Sequence, residues 1–270
     1  MTNLKFKLGN KLLPFSIAIL LSGMFISWLF ASSLFEILVM DYAAPDLVQG
    51  RESFTRRAFI WQIMTWEGLV DSSIFFLHSY LPIFIILPTL SLFQEKRSLF
   101  YLGRHRVESF SRLMLKSSLV YTFQSAFFFC LSCTIFYSIG GLFVRRGLTD
   151  IGDFASIFPV GFYERHPYLF FMFMVWSIYF VMALVFSFLA CGLVLLLEKE
   201  YQVLLGILAI YHGFNYIGVI TSSRFFAVFT SFGAFNTVYQ THEVFYAALP
   251  LCLLGLVLWF IGLKKTVTTY

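Results

Sequence analysis

Five histidines, His78, His105, His166, His212 and His242, are the side chains best suited to moving a proton near neutral pH, and they are scattered along the chain. No H-E-x-x-H sets two of them on one helix face for zinc, and no G-x-S-x-G presents a nucleophilic serine. No G-x-x-x-x-G-K-[ST] offers backbone amides to nucleotide phosphates. Nowhere do two carboxylates stand with a base at catalytic spacing, so an enzyme reading has no motif behind it. Cys130, Cys133, Cys191 and Cys252 all fall in apolar runs, and the C-x-x-C formed by the first two lacks the βαβ surroundings of a redox pair; they read as small packing residues. One polar patch remains. Tyr211, His212, Asn215 and Tyr216 interrupt an apolar run, with His212, Asn215 and Tyr216 on one helix face. Such a patch either lines a substrate path or relays protons, or it makes an interhelical hydrogen bond. His78 and Gln124 carry the same two readings.

The elements that must position these residues follow from composition. With 59% hydrophobic, 20% aromatic and 12% charged residues, and a mean hydropathy of +0.82, the chain departs from soluble domains, whose charged fraction is about 25%. Its 36 phenylalanines cannot all hide in one water-soluble core, whereas acyl chains accept them on every outward helix surface. The fold class is therefore an all-α, polytopic membrane protein. A net charge of +5 does not indicate nucleic acid, because the cations follow membrane sidedness and no base-reading element accompanies them.

Six spans are expected, at about 12–35, 72–93, 117–144, 168–197, 201–221 and 244–263, in one transmembrane domain covering residues 1–270. The first apolar run is too long for a signal-peptide core and reads as an uncleaved span. Between Glu36 and Asp71 the chain is mixed. There Phe54, Ala58 and Trp61 recur at helical spacing, as an interfacial anchor or as a gate over a pathway. Pro82 and Pro88 suggest a kink in the second span. Residues 222–243, rich in Phe but broken by polar residues, suit a re-entrant or interfacial hairpin. Six crossings put 12 of the 19 Lys and Arg residues, including every lysine, on the side of the termini, so both termini are expected in the cytoplasm.

The longest strongly charged stretch, residues 94–116, carries six cations (Lys96, Arg97, Arg104, Arg106, Arg112, Lys116) against Glu95 and Glu108. It follows the second span and enters the third through Glu108-Ser109-Phe110-Ser111-Arg112-Leu113-Met114-Leu115-Lys116. This order resembles the permease subunits of ABC-2 type transporters, the membrane-spanning subunits of ABC exporters. In that family a Glu ends the second span, and a Ser-Arg pair and a Lys further along lead into the third. Glu95, Ser111-Arg112 and Lys116 match these positions. Arg97-Ser98-Leu99 stands where the family usually has Gly-Thr, and the usual Pro near the Ser-Arg pair is absent.

The resemblance implies a cytoplasmic coupling helix centred on about Gly103 to Ser111, docking on a separate ABC ATPase subunit that binds ATP and Mg; no cofactor falls to this chain. Glu95, Arg104, Arg106, Glu108, Arg112 and Lys116 would do the coupling. Two copies, or this chain with a related permease, would enclose a pathway in the bacterial cytoplasmic membrane for an amphipathic cargo: peptide, drug, lipid or lipid-linked glycan. The residues alone also allow a non-transporting membrane sensor or immunity protein acting through the same loop. An intramembrane hydrolase using His78 or His212 is a third class. Contact of the loop cations with anionic membrane lipid is the simplest account of their charge.

Overall fold

Long apolar runs without turn chemistry become helix, because in lipid every backbone amide must be satisfied within its own segment. The computed structural model describes residues 12–42, 44, 52–103, 110–145, 153–233, 235, 240 and 242–269. In chain order the helices are α1 (Leu12–Ala31), α2 (Leu34–Val39), α3 (Glu52–Ile63), α4 (Trp66–Phe75), α5 (Leu81–Ile86), α6 (Leu92–Gly103) and α7 (Phe110–Gly140). There follow α8 (Phe162–Arg165), α9 (Pro167–Met174), α10 (Phe180–Leu196), α11 (Glu200–Thr221), α12 (Val228–Phe232) and α13 (Ala248–Thr269). Among the described residues the sole β-type pairing is an isolated bridge between Thr65 and Arg145.

Five stretches are long and apolar enough to cross a membrane: Leu12–Ala31, Phe110–Gly140, Pro167–Leu196, Glu200–Thr221 and Glu243–Thr266. A sixth forms if Trp66–Phe75 and His78–Arg97, bent by 52°, count as one span. The expected polytopic all-α class is what the chain adopts. Pro167–Leu196 is the central span, 78% buried, while the other four are 22–39% buried. Outward-facing Phe123, Leu205 and Phe260 show the apolar exterior that lipid accepts.

The second span departs from expectation in two ways. It begins at Trp66, ahead of residue 72, because Thr65 caps α4 by accepting the Gly68 N–H at 3.1 Å. Its bend precedes both prolines. Pro82 sits in the first turn of α5 and Pro88 in the first turn of a 3-10 segment, where a missing amide costs nothing. The bend has another cause. Ser27 of α1 accepts the Phe76 N–H at 3.1 Å and donates to the Ser72 carbonyl at 2.7 Å, occupying the slot where Phe76 would bond Ser72 directly. Ser27→Ala is expected to lower stability by about 1 kcal/mol, read as a lower unfolding midpoint in detergent.

The third span starts at Phe110, not residue 117, so Arg112 and Lys116 belong to the helix itself. It ends at Gly140, short of residue 144. The fourth follows the expected bounds closely but contains a π-helical segment at Val175–Tyr179. Its contact with α13 is backbone to backbone. A Cβ on Gly262 would lie 2.7 Å from Leu195 Cβ and 3.1 Å from the Gly192 carbonyl oxygen, and one on Gly192 would lie 2.9 Å from the Trp259 nitrogen.

Past Thr221 the chain leaves α11 through Ser222 in the left-handed region (φ 52°) and turns back into α12. Three side chains from the spans hold that short helix. Tyr179 donates to the Phe232 carbonyl at 2.7 Å, Asn215 accepts the Phe229 N–H at 2.8 Å, and His78 Nε2 lies 3.0 Å from the Phe229 carbonyl. Asn215 stands six residues before the end of α11 at Thr221. At 1.5 Å per residue, α12 reaches about 9 Å inward from that end, while residues 234, 236–239 and 241 of the expected hairpin lie outside the described residues.

Candidate functional site

The basic stretch is where the sequence concentrates charge, and its first part folds as a continuation of the second span. Glu95, half-buried on α6, accepts the Tyr121 hydroxyl of α7 at 2.9 Å. Lys96 turns the other way and is buried. Its ammonium donates to the carbonyls of Val194, Leu195 and Leu197 at 2.8, 2.9 and 2.8 Å, using all three of its protons. Val194 and Leu195 are in the last turn of α10, whose final carbonyls have no amide partner further along the helix and sit at its negative end, and Leu197 follows it directly.

Neighbouring side chains complete the cap. Lys265 of α13 donates to the Leu196 carbonyl at 3.0 Å, and Thr266 to that of Leu195 at 3.4 Å. Arg97 donates to the Glu198 carbonyl at 3.1 Å and pairs with the Glu200 carboxylate at 3.5 Å across an exposed surface. The C-terminus of the central span is thus held by cations from α6 and α13. A cleft of about 270 Å³ opens beside it, lined by Phe93, Lys96, Arg97, Glu198, Lys265 and Thr266 among others.

All five described lysines gather at this end of the bundle, Lys96 and Lys265 by their bonds, Lys264 next to Lys265 on α13, Lys199 on the turn between α10 and α11, and Lys116 just before Tyr121. The opposite end is tied without lysine. There the Arg145 guanidinium lies 3.2 Å from the Trp61 ring centre, Arg224 pairs with Glu243, and the Tyr163 hydroxyl donates to buried Glu67.

Two groups of expected site residues fall out differently. Arg104, Arg106 and Glu108 lie outside the described residues, as does the centre of the expected coupling helix; Gly103 ends α6, and Phe110 and Ser111 begin α7. Arg112 and Lys116 are exposed on α7. In the mid-span patch, His212 and Tyr216 point out of the bundle, Tyr216 being 69% exposed, while Asn215 is bound to α12.

The buried member of that patch is Tyr211, whose hydroxyl donates to the His78 carbonyl at 2.9 Å. His78 itself is buried between the bend of the second span and Phe229. Gln124 is half-buried on α7. No protein-family model, curated protein or solved structure matches the chain.

The site is therefore described by its own chemistry. Among the described residues no three His, Cys, Asp or Glu side chains cluster as a metal site would require. Cys130 and Cys133 are buried thiols, Cys130 lying against the Val175 carbonyl where the π-helical segment begins. What the arrangement can do is mechanical. One charged helix is bonded at once to Tyr121 within α7, the end of α10 and the turn into α11.

Sequence reasoning missed Lys96, Tyr121 and Lys265 as a unit. The available signal was the meeting of a lysine that closes one apolar run with the bare C-terminus of another.

Proposed function

We propose that this chain is the membrane-spanning subunit of an ATP-driven exporter, working with a separate ATPase and with a second copy of itself or a related chain. The supporting observation is the way α6 is tied to the bundle. A push on the cytoplasmic loop after α6 travels through Glu95 to Tyr121 on α7, through Lys96 to the end of α10, and through Arg97 to the start of α11. An ATP-driven cycle needs such a rigid link between soluble and membrane parts, since small shifts at one site become movements of packed helices. Arg104, Arg106 and Glu108 make the ATPase contacts in this reading, while Glu95 anchors the element that carries them.

The outward His212 and Tyr216 fit the same reading. An ionisable side chain near the middle of a span is costly against hydrocarbon and belongs against protein or a watery path. His212, Asn215 and Tyr216 then border the pathway between two copies, and the aromatic wall of α11 suits an amphipathic cargo.

Co-purification tests the proposal. The detergent-solubilised chain, expressed with its genomic neighbours, is expected to bring down a P-loop ATPase; recovery without one counts against the exporter and favours a sensor or immunity role. The double reversal Arg104→Glu/Arg106→Glu is expected to cut ATPase recovery at least tenfold, because each like-charge contact costs about as much as a charge-assisted hydrogen bond gains. Unchanged recovery would remove these two arginines from the interface.

A further inference from the structure

We propose that the outer face of α7 at the lysine-bearing end is a binding site for an anionic glycerophospholipid, with the phosphate on Arg112 and Lys116 and an acyl chain along Leu119, Val120 and Phe123. Arg112, Lys116, Leu119 and Phe123 follow one another at helical spacing, so they form a single stripe. A groove of about 600 Å³ runs along it, lined by these residues with Leu115, Val120 and Gln124. Both cations are exposed, and neither has a carboxylate partner among the described residues. Glu95, the carboxylate nearest this part of α7 among those whose bonds are described, accepts the Tyr121 hydroxyl.

The level along the helix fits a phospholipid. Tyr121 stands beside Glu95 at the level of the lysine-bearing end, and Lys116 lies farther out. At 31 residues α7 exceeds the roughly 20 that cross the hydrocarbon, and counting back that far from Gly140 sets its inner edge near Val120. Arg112 and Lys116 then fall at headgroup depth, while Leu119 (51% exposed) and Phe123 (56% exposed) open onto acyl chains. Charge above and hydrocarbon below is the order of the lipid itself.

A second copy is the wrong occupant for this face. A symmetric pair would set the same stripe against itself, cation against cation, and α7 contains no Asp or Glu to answer them. The inference takes Arg112 and Lys116 out of the coupling role and stands whether or not the chain belongs to an exporter.

The test is native mass spectrometry of the full chain in detergent, titrated with phosphatidylglycerol and, separately, phosphatidylcholine. Phosphatidylglycerol is expected to bind at least tenfold more tightly. Arg112→Gln/Lys116→Gln is expected to lower its affinity about 25-fold, about fivefold per cation, with no change in unfolding midpoint. Phe123→Ala is expected to weaken both lipids alike. Equal binding of the two lipids by the wild type, or undiminished phosphatidylglycerol binding by the double variant, would overturn the proposal. Full displacement by millimolar inorganic phosphate would also overturn it, in favour of a simple anion site. So would purification of the wild type with a protein subunit over this face that the double variant loses.

Discussion

Replacing Lys96 with methionine is expected to destabilise the protein by about 3 kcal/mol. Methionine keeps the length and apolar stem of the side chain but leaves the carbonyls of Val194 and Leu197 without their side-chain donor and that of Leu195 with only the longer Thr266 bond. Each buried acceptor left bare costs about 1–3 kcal/mol, and water entering the adjoining cleft recovers part of that sum. Lys96→Arg should be intermediate, because a flat guanidinium cannot aim three protons at three converging carbonyls as an ammonium does. Lys96→Glu should abolish folding, setting a carboxylate against the negative end of α10. Unfolding midpoints of the detergent-solubilised variants, read by loss of the monodisperse species, give the order wild type, Arg, Met, Glu. A Met variant as stable as the wild type would show the ammonium to be dispensable.

Gly262→Ala is the second large effect, and it needs only one methyl group. Its Cβ would sit 2.7 Å from Leu195 Cβ, inside van der Waals contact, with the Gly192 carbonyl oxygen 3.1 Å away. Neither is the tip of a flexible side chain that could swing aside. Helices α10 and α13 must therefore separate, loosening the Trp259 bond to Ser118 and the Lys265 and Thr266 bonds to the end of α10. Overpacking of this kind costs about 1–3 kcal/mol, and the coupled bonds push the expectation to the upper end. Gly213→Ala is the matched comparison, since a Cβ there meets nothing within 4 Å. It should be neutral or slightly stabilising, because alanine favours helix. Equal midpoints for the two alanine variants would contradict the close contact.

The contrast between these positions explains what could be read from the chain. Class and a count of five to six spans follow from one-dimensional hydropathy, and the fourth to sixth spans fall near the residues that apolarity alone selects, while the third begins seven residues early. Helix ends follow it less well, because polar residues at a terminus can be absorbed by capping or pairing. Thr65 caps α4, and Glu67 is buried against Tyr163, so a stretch that reads as an outer loop belongs to a span. The kink illustrates the same limit. Prolines are visible in sequence, whereas the Ser27 hydroxyl that opens the second span comes from another helix 45 residues away. For the site, helical spacing rightly put His212, Asn215 and Tyr216 on neighbouring positions, but not which of them would find partners. Asn215 is bound by α12, His212 and Tyr216 turn outward, and the inward polar group is Tyr211. Partner choice is a long-range property, and periodicity carries none of it.

The cap on α10 also sets an order of events at the ribosome. The carbonyls that Lys96 binds lie 98 to 101 residues later in the chain. At about 5–20 residues per second, the lysine is made roughly 5–20 s before its acceptors exist. Until then the ammonium lacks the carbonyls that hold it in the finished bundle. Leu196 waits in turn for Lys265 of α13, made 69 residues later, and Gly192 for Gly262 of the same helix. The most buried span of the bundle thus gains part of its cover only when α13 is made, and a nascent chain stalled before α13 would leave its Gly192 face and its C-terminal carbonyls partly open.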